Sequence, residues 1–96
     1  MDLQLKGKTA LVTGGSAGIG KGIALVLAKE GVDVAICARR KEPLEKAAKE
    51  ISTMTGRKII PIVADLTKDD EARNFINQAH KELGCVDIMI TEVLHF

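Results

Sequence analysis

The feature that most restricts this chain is a glycine cluster, Gly14-Gly15-Ser16-Ala17-Gly18-Ile19-Gly20, between a β-prone run and a stretch of helical apolar spacing. The run before it is Lys8-Thr9-Ala10-Leu11-Val12-Thr13, and the apolar residues after it fall at Ile23, Val26 and Leu27. A strand that must turn at once into a helix needs glycine where the turn is sharp and where another group approaches the backbone. Gly14 permits the turn, Gly18 removes a Cβ from the path of an approaching pyrophosphate, and Gly20 allows close helix–strand contact. The helix start behind them offers unbonded N–H groups and the positive end of its dipole to an anion.

The alternation of strand and helix periods continues along the chain. Gly31 stops the first helix, and Val32 to Cys37 reads as a buried strand. A second helix begins near Pro43, places Leu44, Ala47, Ala48 and Ile51 on one face, and stops at Gly56. Lys58 to Ala64 is a third strand in which Pro61 lacks a ladder donor, so this strand is expected at a sheet edge or with a local irregularity. Thr67 is expected to cap a third helix with Asp69, Asp70 and Glu71 in its first turn and Ala72, Phe75, Ile76, Ala79 and Leu83 on its apolar face. Gly84 ends that helix, and residues 86–90 form a fourth strand. The fold class is α/β, a truncated Rossmann-type parallel sheet, βαβαβαβ. Right-handed crossovers give strand order 3-2-1-4, with two helices on one face and the third on the other. The crevice at the C-terminal ends of the strands is where such sheets bind ligands.

Composition narrows the function. Ninety-six residues with 46% apolar content make one domain, and a formal net charge of +1 gives no field to gather a nucleic acid. The N-terminal residues interleave charge with apolar side chains, which is no export signal, and no apolar run is long enough to cross a membrane. The expectation is a cytoplasmic protein. Cys37 and Cys85 show no metal or redox spacing, and both are expected as reduced residues of the core. No metal site is expected.

The Gly-x-x-x-Gly-x-Gly spacing resembles the signature of the short-chain dehydrogenase/reductase family, and the similarity runs from about Lys6 to Ile90. The resemblance implies that Gly14, Ser16, Gly18, Ile19 and Gly20 form the cofactor-binding loop, with the first helix on the pyrophosphate and Ser16 offering a hydroxyl where NADP-selective members often carry a basic residue. It also implies that Asp65, with the Leu66 backbone beside it, holds the adenine. Cofactor choice rests on the end of strand two. An acidic residue there would bind the ribose hydroxyls of NAD and repel a 2′-phosphate. Here Cys37-Ala38-Arg39-Arg40 has Ala38 at that place, followed by two guanidinium groups able to pair a phosphate, which resembles the NADP(H)-selective pattern.

The family's Tyr-x-x-x-Lys pair and its Ser lie beyond strand four, and this sequence has no tyrosine. No catalytic residue is therefore assigned; His80 and His95 do not replace the missing donor. Where the family has Asn-Asn-Ala-Gly, this chain reads Thr91-Glu92-Val93-Leu94-His95-Phe96. Residues 1–90 are expected to form a partial NADP(H)-binding domain and residues 91–96 a non-matching tail. The expected function is that of an NADP(H)-binding fragment of a reductase. The alternatives are a non-catalytic partner that self-associates or pairs with a full-length reductase through strand 86–90, and an inert truncated product.

Overall fold

The computed structural model describes residues 6–14 and 18–90, with Ile19 and Ile90 described by their backbone alone. The elements are β1 (Thr9–Thr13), α1 (Gly18–Lys29), β2 (Asp33–Ala38), α2 (Lys41–Thr55), β3 (Ile59–Val63), α3 (Asp69–Leu83) and β4 (Ile88–Ile90). All strand pairs are parallel and the order is β3-β2-β1-β4, as the pattern predicts.

The inner strands β1 and β2 are covered on both faces, so they are apolar almost without interruption. Ala10, Val12, Val34 and Ile36 pack with Ala24 and Ala28 of α1 and with Leu44, Ala47, Ala48 and Ile51 of α2. Leu11, Ala35, Cys37 and Ile62 point the other way, onto Phe75 and Ala79 of α3. The two-against-one helix distribution follows from the strand order. Each fully buried Ile, Leu or Val here contributes roughly 1.5–3 kcal/mol relative to exposure. At the α1–α2 contact, Lys21 pairs with Glu50 and its hydrogen bond holds the Glu50 carboxyl below the usual range.

Three expectations are corrected. The buried side of α1 is Gly20, Ala24 and Ala28, four residues apart, while Val26 is 59% exposed. A helix lying close on a sheet has room only for small side chains at the contact, so Ile23 and Leu27 flank it rather than define it. The N-cap position of α3 belongs to Lys68, with no side-chain cap bond, because Thr67 uses its hydroxyl elsewhere. Cys85 is exposed, in the turn before β4, and only Cys37 joins the core. That turn also shortens the fourth strand from the expected 86–90. Asp87 Oδ2 accepts a bond from the Thr9 N–H at 2.9 Å, and the Thr9 hydroxyl donates to the Cys85 carbonyl.

Pro61 stands on the edge strand, as expected. Its orientation follows from the ladder: Ala64 N–H donates to Ala38 and Lys58 accepts from Val34, so even-numbered residues of β3 face β2. Pro61 therefore turns its missing donor outward, where no strand would be served.

Replacing Ala24 with Leu should lower stability by about 1–3 kcal/mol through overpacking, whereas Val26→Ala should change it by less than about 0.5 kcal/mol. Thermal or urea unfolding of both variants checks the small-residue contact; equal effects would contradict it.

Candidate cofactor-binding site

Parallel strands bring their C-terminal ends to one rim, and the register sets which residues meet there. Thr13 lies beside Cys37, and Ala38 beside Val63. Gly14, Arg39 and Asp65 thus emerge from three neighbouring strand ends. Gly14 has φ 71°, and its N–H donates to the Cys37 carbonyl at 2.8 Å, which ties the start of the glycine turn to β2. Gly18 opens α1 at φ 60°, and a Cβ built there would meet nothing within 4 Å among the described residues outside its own helix. The space above it is open to an incoming group. Gly20 is buried against the sheet, Ile19 contributes backbone to the first turn, and the expected role of Ser16 falls outside the described residues.

Arg39 and Arg40 are exposed immediately after β2. Arg40 occupies the N-cap position of α2 with extended backbone and no side-chain cap bond. Pro43, in the same first turn, has no N–H to satisfy. The start of α2 is therefore cationic, through two guanidinium groups and its own dipole, and suits an anion.

Asp65 stands across from Arg39 at the end of β3. Its Oδ1 accepts from the Thr67 N–H at 3.0 Å and from the Thr67 hydroxyl at 2.7 Å, a turn in which the side chain mimics backbone. Its own N–H donates to Glu71 Oε1 at 2.9 Å. The Thr67 bonds, with the positive charges of Arg39 and Lys68 behind them, hold the Asp65 carboxyl below the usual carboxylate range. Asp65 is thus an anion at neutral pH. Leu66, 37% exposed, follows on the same turn.

Sequence reasoning missed three contributors. Glu71 reads as a helix-dipole residue but reaches back to Asp65. Thr67 reads as a cap but holds Asp65. Cys37 reads as filler, yet its Sγ lies 3.7 Å from the Ala64 carbonyl and its own carbonyl takes the Gly14 bond, so it joins three strand ends. The pattern Asp-x-Thr, in which a short side chain bonds to the residue two ahead, was the available signal for the Thr67 contact.

Among the described residues there is no group of three or more His, Cys, Asp or Glu that could hold a metal ion. No helix of the described residues is long and apolar enough to cross a membrane. The His80 ring meets the Gly84 carbonyl at 3.0 Å at the far end of α3. A shallow groove between α2 and the outer side of β3, lined by Lys49, Ser52 and Pro61, contains none of the expected cofactor residues. The groups expected to meet a cofactor lie at the rim, not in this groove.

The family model for short chain dehydrogenases matches residues 8–93. A short chain dehydrogenase of Pseudocercospora fijiensis is 44% identical over 91% of this chain and 28% of its own length. A short-chain type dehydrogenase/reductase from Mycobacterium marinum is 45% identical, with TM-score 0.84 over 88% of this chain and 34% of that one. L-sorbose reductase from Gluconobacter frateurii, solved with NADPH and L-sorbose, is 28% identical and superposes with TM-score 0.95 over 99% of this chain and 36% of that one. The chain spans about a third of the length of these relatives.

Burial pushes the Cys37 thiol up from 9.0 to about 11, with the Glu71 charge adding to it. The unfolded chain then loses this proton first, so the stability tied to the neutral thiol is complete below pH 9 and is lost as pH rises towards 11. Urea midpoints of the unmodified chain and Cys37→Ala should converge between pH 8 and pH 10.5; a constant gap would contradict the burial effect.

Proposed function

The chain belongs to the short chain dehydrogenase family, and we propose on that footing that it is the NADP(H)-binding portion of an oxidoreductase acting on a carbonyl or alcohol. One observation carries the cofactor reading: the glycine turn, the Arg39-Arg40 pair and the Asp65 turn share a single rim. The superposition with an NADPH-bound reductase supports it. A bound nicotinamide cofactor supplies or takes up hydride; the residues of this chain bind and orient it.

Each group has a physical task. Gly14, Ser16, Gly18, Ile19 and Gly20 form the loop that holds the cofactor, and the pyrophosphate lies against the start of α1, where the absence of a Cβ at Gly18 allows close approach and the α1 dipole favours negative charge. Arg39 and Arg40 pair the 2′-phosphate, and Ala38 offers no carboxylate to repel it. Charge-assisted bonds of this kind contribute roughly 1.5–3 kcal/mol each, with exposed groups at the low end. Asp65 accepts from the adenine amino group while the Leu66 N–H donates to the ring nitrogen beside it. Proton transfer is assigned to none of the residues of this chain.

A second reading rests on β4. Among the described residues it has a strand on one side only, and Met89 on it is 55% exposed. Such an edge pairs readily with another chain, either a second copy or a full-length reductase. Self-association should grow with concentration in sedimentation experiments and fall in Met89→Lys. A concentration-independent monomer would remove this reading.

For the cofactor reading, the chain should bind NADPH more tightly than NADH, and the margin should shrink with added salt. Ala38→Asp combined with Arg39→Ala should reverse the preference, and Gly18→Val should abolish binding of both. Gly18→Val acts by filling the open approach and by straining a backbone at φ 60°. Calorimetric titration with both cofactors decides it. Equal affinities in the unmodified chain would mean the arginines are a solvated turn, and a preference unchanged by the double substitution would put the ribose at another strand end.

A further inference from the structure

The turn after β3 is held by polar bonds that converge on Asp65. A Thr one residue before an N-cap position is well placed to shift the cap and bond the first turn of α3, yet the Thr67 hydroxyl turns back and donates to Asp65 Oδ1 at 2.7 Å. The helix begins without a side-chain cap as a result. Its start is served instead by Asp69, Asp70 and Glu71 in the first turn. Glu71 in turn commits Oε1 to the Asp65 N–H at 2.9 Å, with its other oxygen 3.6 Å from Lys68 Nζ.

These bonds have a directional consequence. With both Thr67 donors on Oδ1, the carboxylate is fixed about χ1 and χ2, and Oδ2 accepts no hydrogen bond among the described residues. The Asp65 N–H is consumed by Glu71, and the Asp65 carbonyl takes the Lys68 N–H at 3.1 Å. The next backbone N–H, that of Leu66, has no backbone partner among the described residues. What remains is one acceptor, Asp65 Oδ2, and one donor, Leu66 N–H, on a half-exposed turn. An acceptor beside a donor complements an amino group beside an unprotonated ring nitrogen, the edge that adenine presents. It opposes the edge of hypoxanthine, where a carbonyl and a protonated ring nitrogen exchange the two roles.

We propose that Thr67 and Glu71 are positioning residues for cofactor base selection, holding Asp65 and Leu66 in the arrangement that accepts adenine and rejects a base with a carbonyl at that place. The proposal rests on the cofactor reading above and assigns a role to two residues that do not touch the cofactor. Thr67 acts on the carboxylate and Glu71 on the backbone, so each can be varied without altering the atoms that meet the base. Neither belongs to the phosphate-binding part of the rim.

The experiment measures calorimetric affinities of the full chain for NADPH, for the hypoxanthine counterpart of NADPH, and for NADH. The unmodified chain should favour NADPH over the hypoxanthine compound by about tenfold, the factor that one well-placed hydrogen bond exchanged for a mismatched one supplies. Thr67→Val should reduce this ratio to less than about threefold, Thr67→Ser should restore it, and all three should keep the same preference for NADPH over NADH. Glu71→Gln, whose side-chain carbonyl can still accept the Asp65 N–H, should keep the base ratio, and Glu71→Ala should lose most of it. The salt-sensitive NADPH-over-NADH preference serves as the control for folding. No binding of any dinucleotide by the unmodified chain would overturn the cofactor reading and this proposal together. Binding with 2′-phosphate preference but equal affinity for the two bases would overturn the adenine role of Asp65 and the proposal, leaving the NADP(H) reading intact. A base ratio that survives Thr67→Val, or that Thr67→Ser fails to restore, would overturn the positioning role alone.

Discussion

A parallel sheet covered on both faces admits polar chemistry only where its strands end, and the rest of this molecule follows from that constraint. β1 and β2 are apolar because helices lie on both sides of them. Their backbone groups are consumed in the ladder, and their side chains in two cores. Every group that could recognise a polar ligand is therefore displaced to the turns, and parallel pairing sends the turns that follow β1, β2 and β3 to one side. The two rims differ accordingly. At the N-terminal rim Asp33 accepts from Arg57 at 3.1 Å and from the Lys58 N–H at 3.2 Å, so its polar groups serve one another. At the C-terminal rim Arg39 and Arg40 are exposed, and Asp65 Oδ2 accepts no hydrogen bond among the described residues.

The precision of that rim depends on a short chain of contacts through the core. Gly14 is bonded to the Cys37 carbonyl, Cys37 reaches the Ala64 carbonyl, and the Ala64 N–H bonds to Ala38. These links run across three strands within two residues of the expected cofactor groups. A displacement of β2 by one residue would move the arginines relative to the glycine turn and Asp65, and would also put Ile36 and Cys37 on exchanged faces of the sheet. Binding geometry and core packing are for that reason the same problem in this fold. Burial of the Cys37 thiol, which keeps it neutral and unreactive at ordinary pH, is the chemical mark of that coupling.

Much of this was legible in the sequence because strong signals coincided. The strand before and the helix after the glycine cluster, the Leu44-Ala47-Ala48-Ile51 face of α2, the Phe75-Ala79 face of α3, and Pro61 as an edge marker all correspond to what the structure shows. The misreadings share a physical origin. In α1 the apolar residues occur on nearly every side, so hydrophobic spacing could not show that size selects Ala24 and Ala28 for the contact and leaves Val26 outside. Thr67 and Glu71 carry ordinary helix-start chemistry, and whether a hydroxyl bonds forward into the helix or back to Asp65 depends on where β3 delivers the chain. Cys85 was assigned to the core by residue type alone, and Thr9 and Asp87, 78 positions apart, meet only after the sheet has formed.

The opposite edges of the sheet are not equivalent, and the difference lies in Pro61. Its ring removes a donor from the outward side of β3, so a strand laid there would meet a gap in the middle of its ladder. β4 has no such interruption in Ile88, Met89 and Ile90. The sheet is therefore directional as an assembly unit, terminated at one side and extensible at the other. Any strand that lengthens it, whether supplied by the same polypeptide or by another, joins beside β4, so growth proceeds away from Asp65 and leaves the approach to the arginines clear.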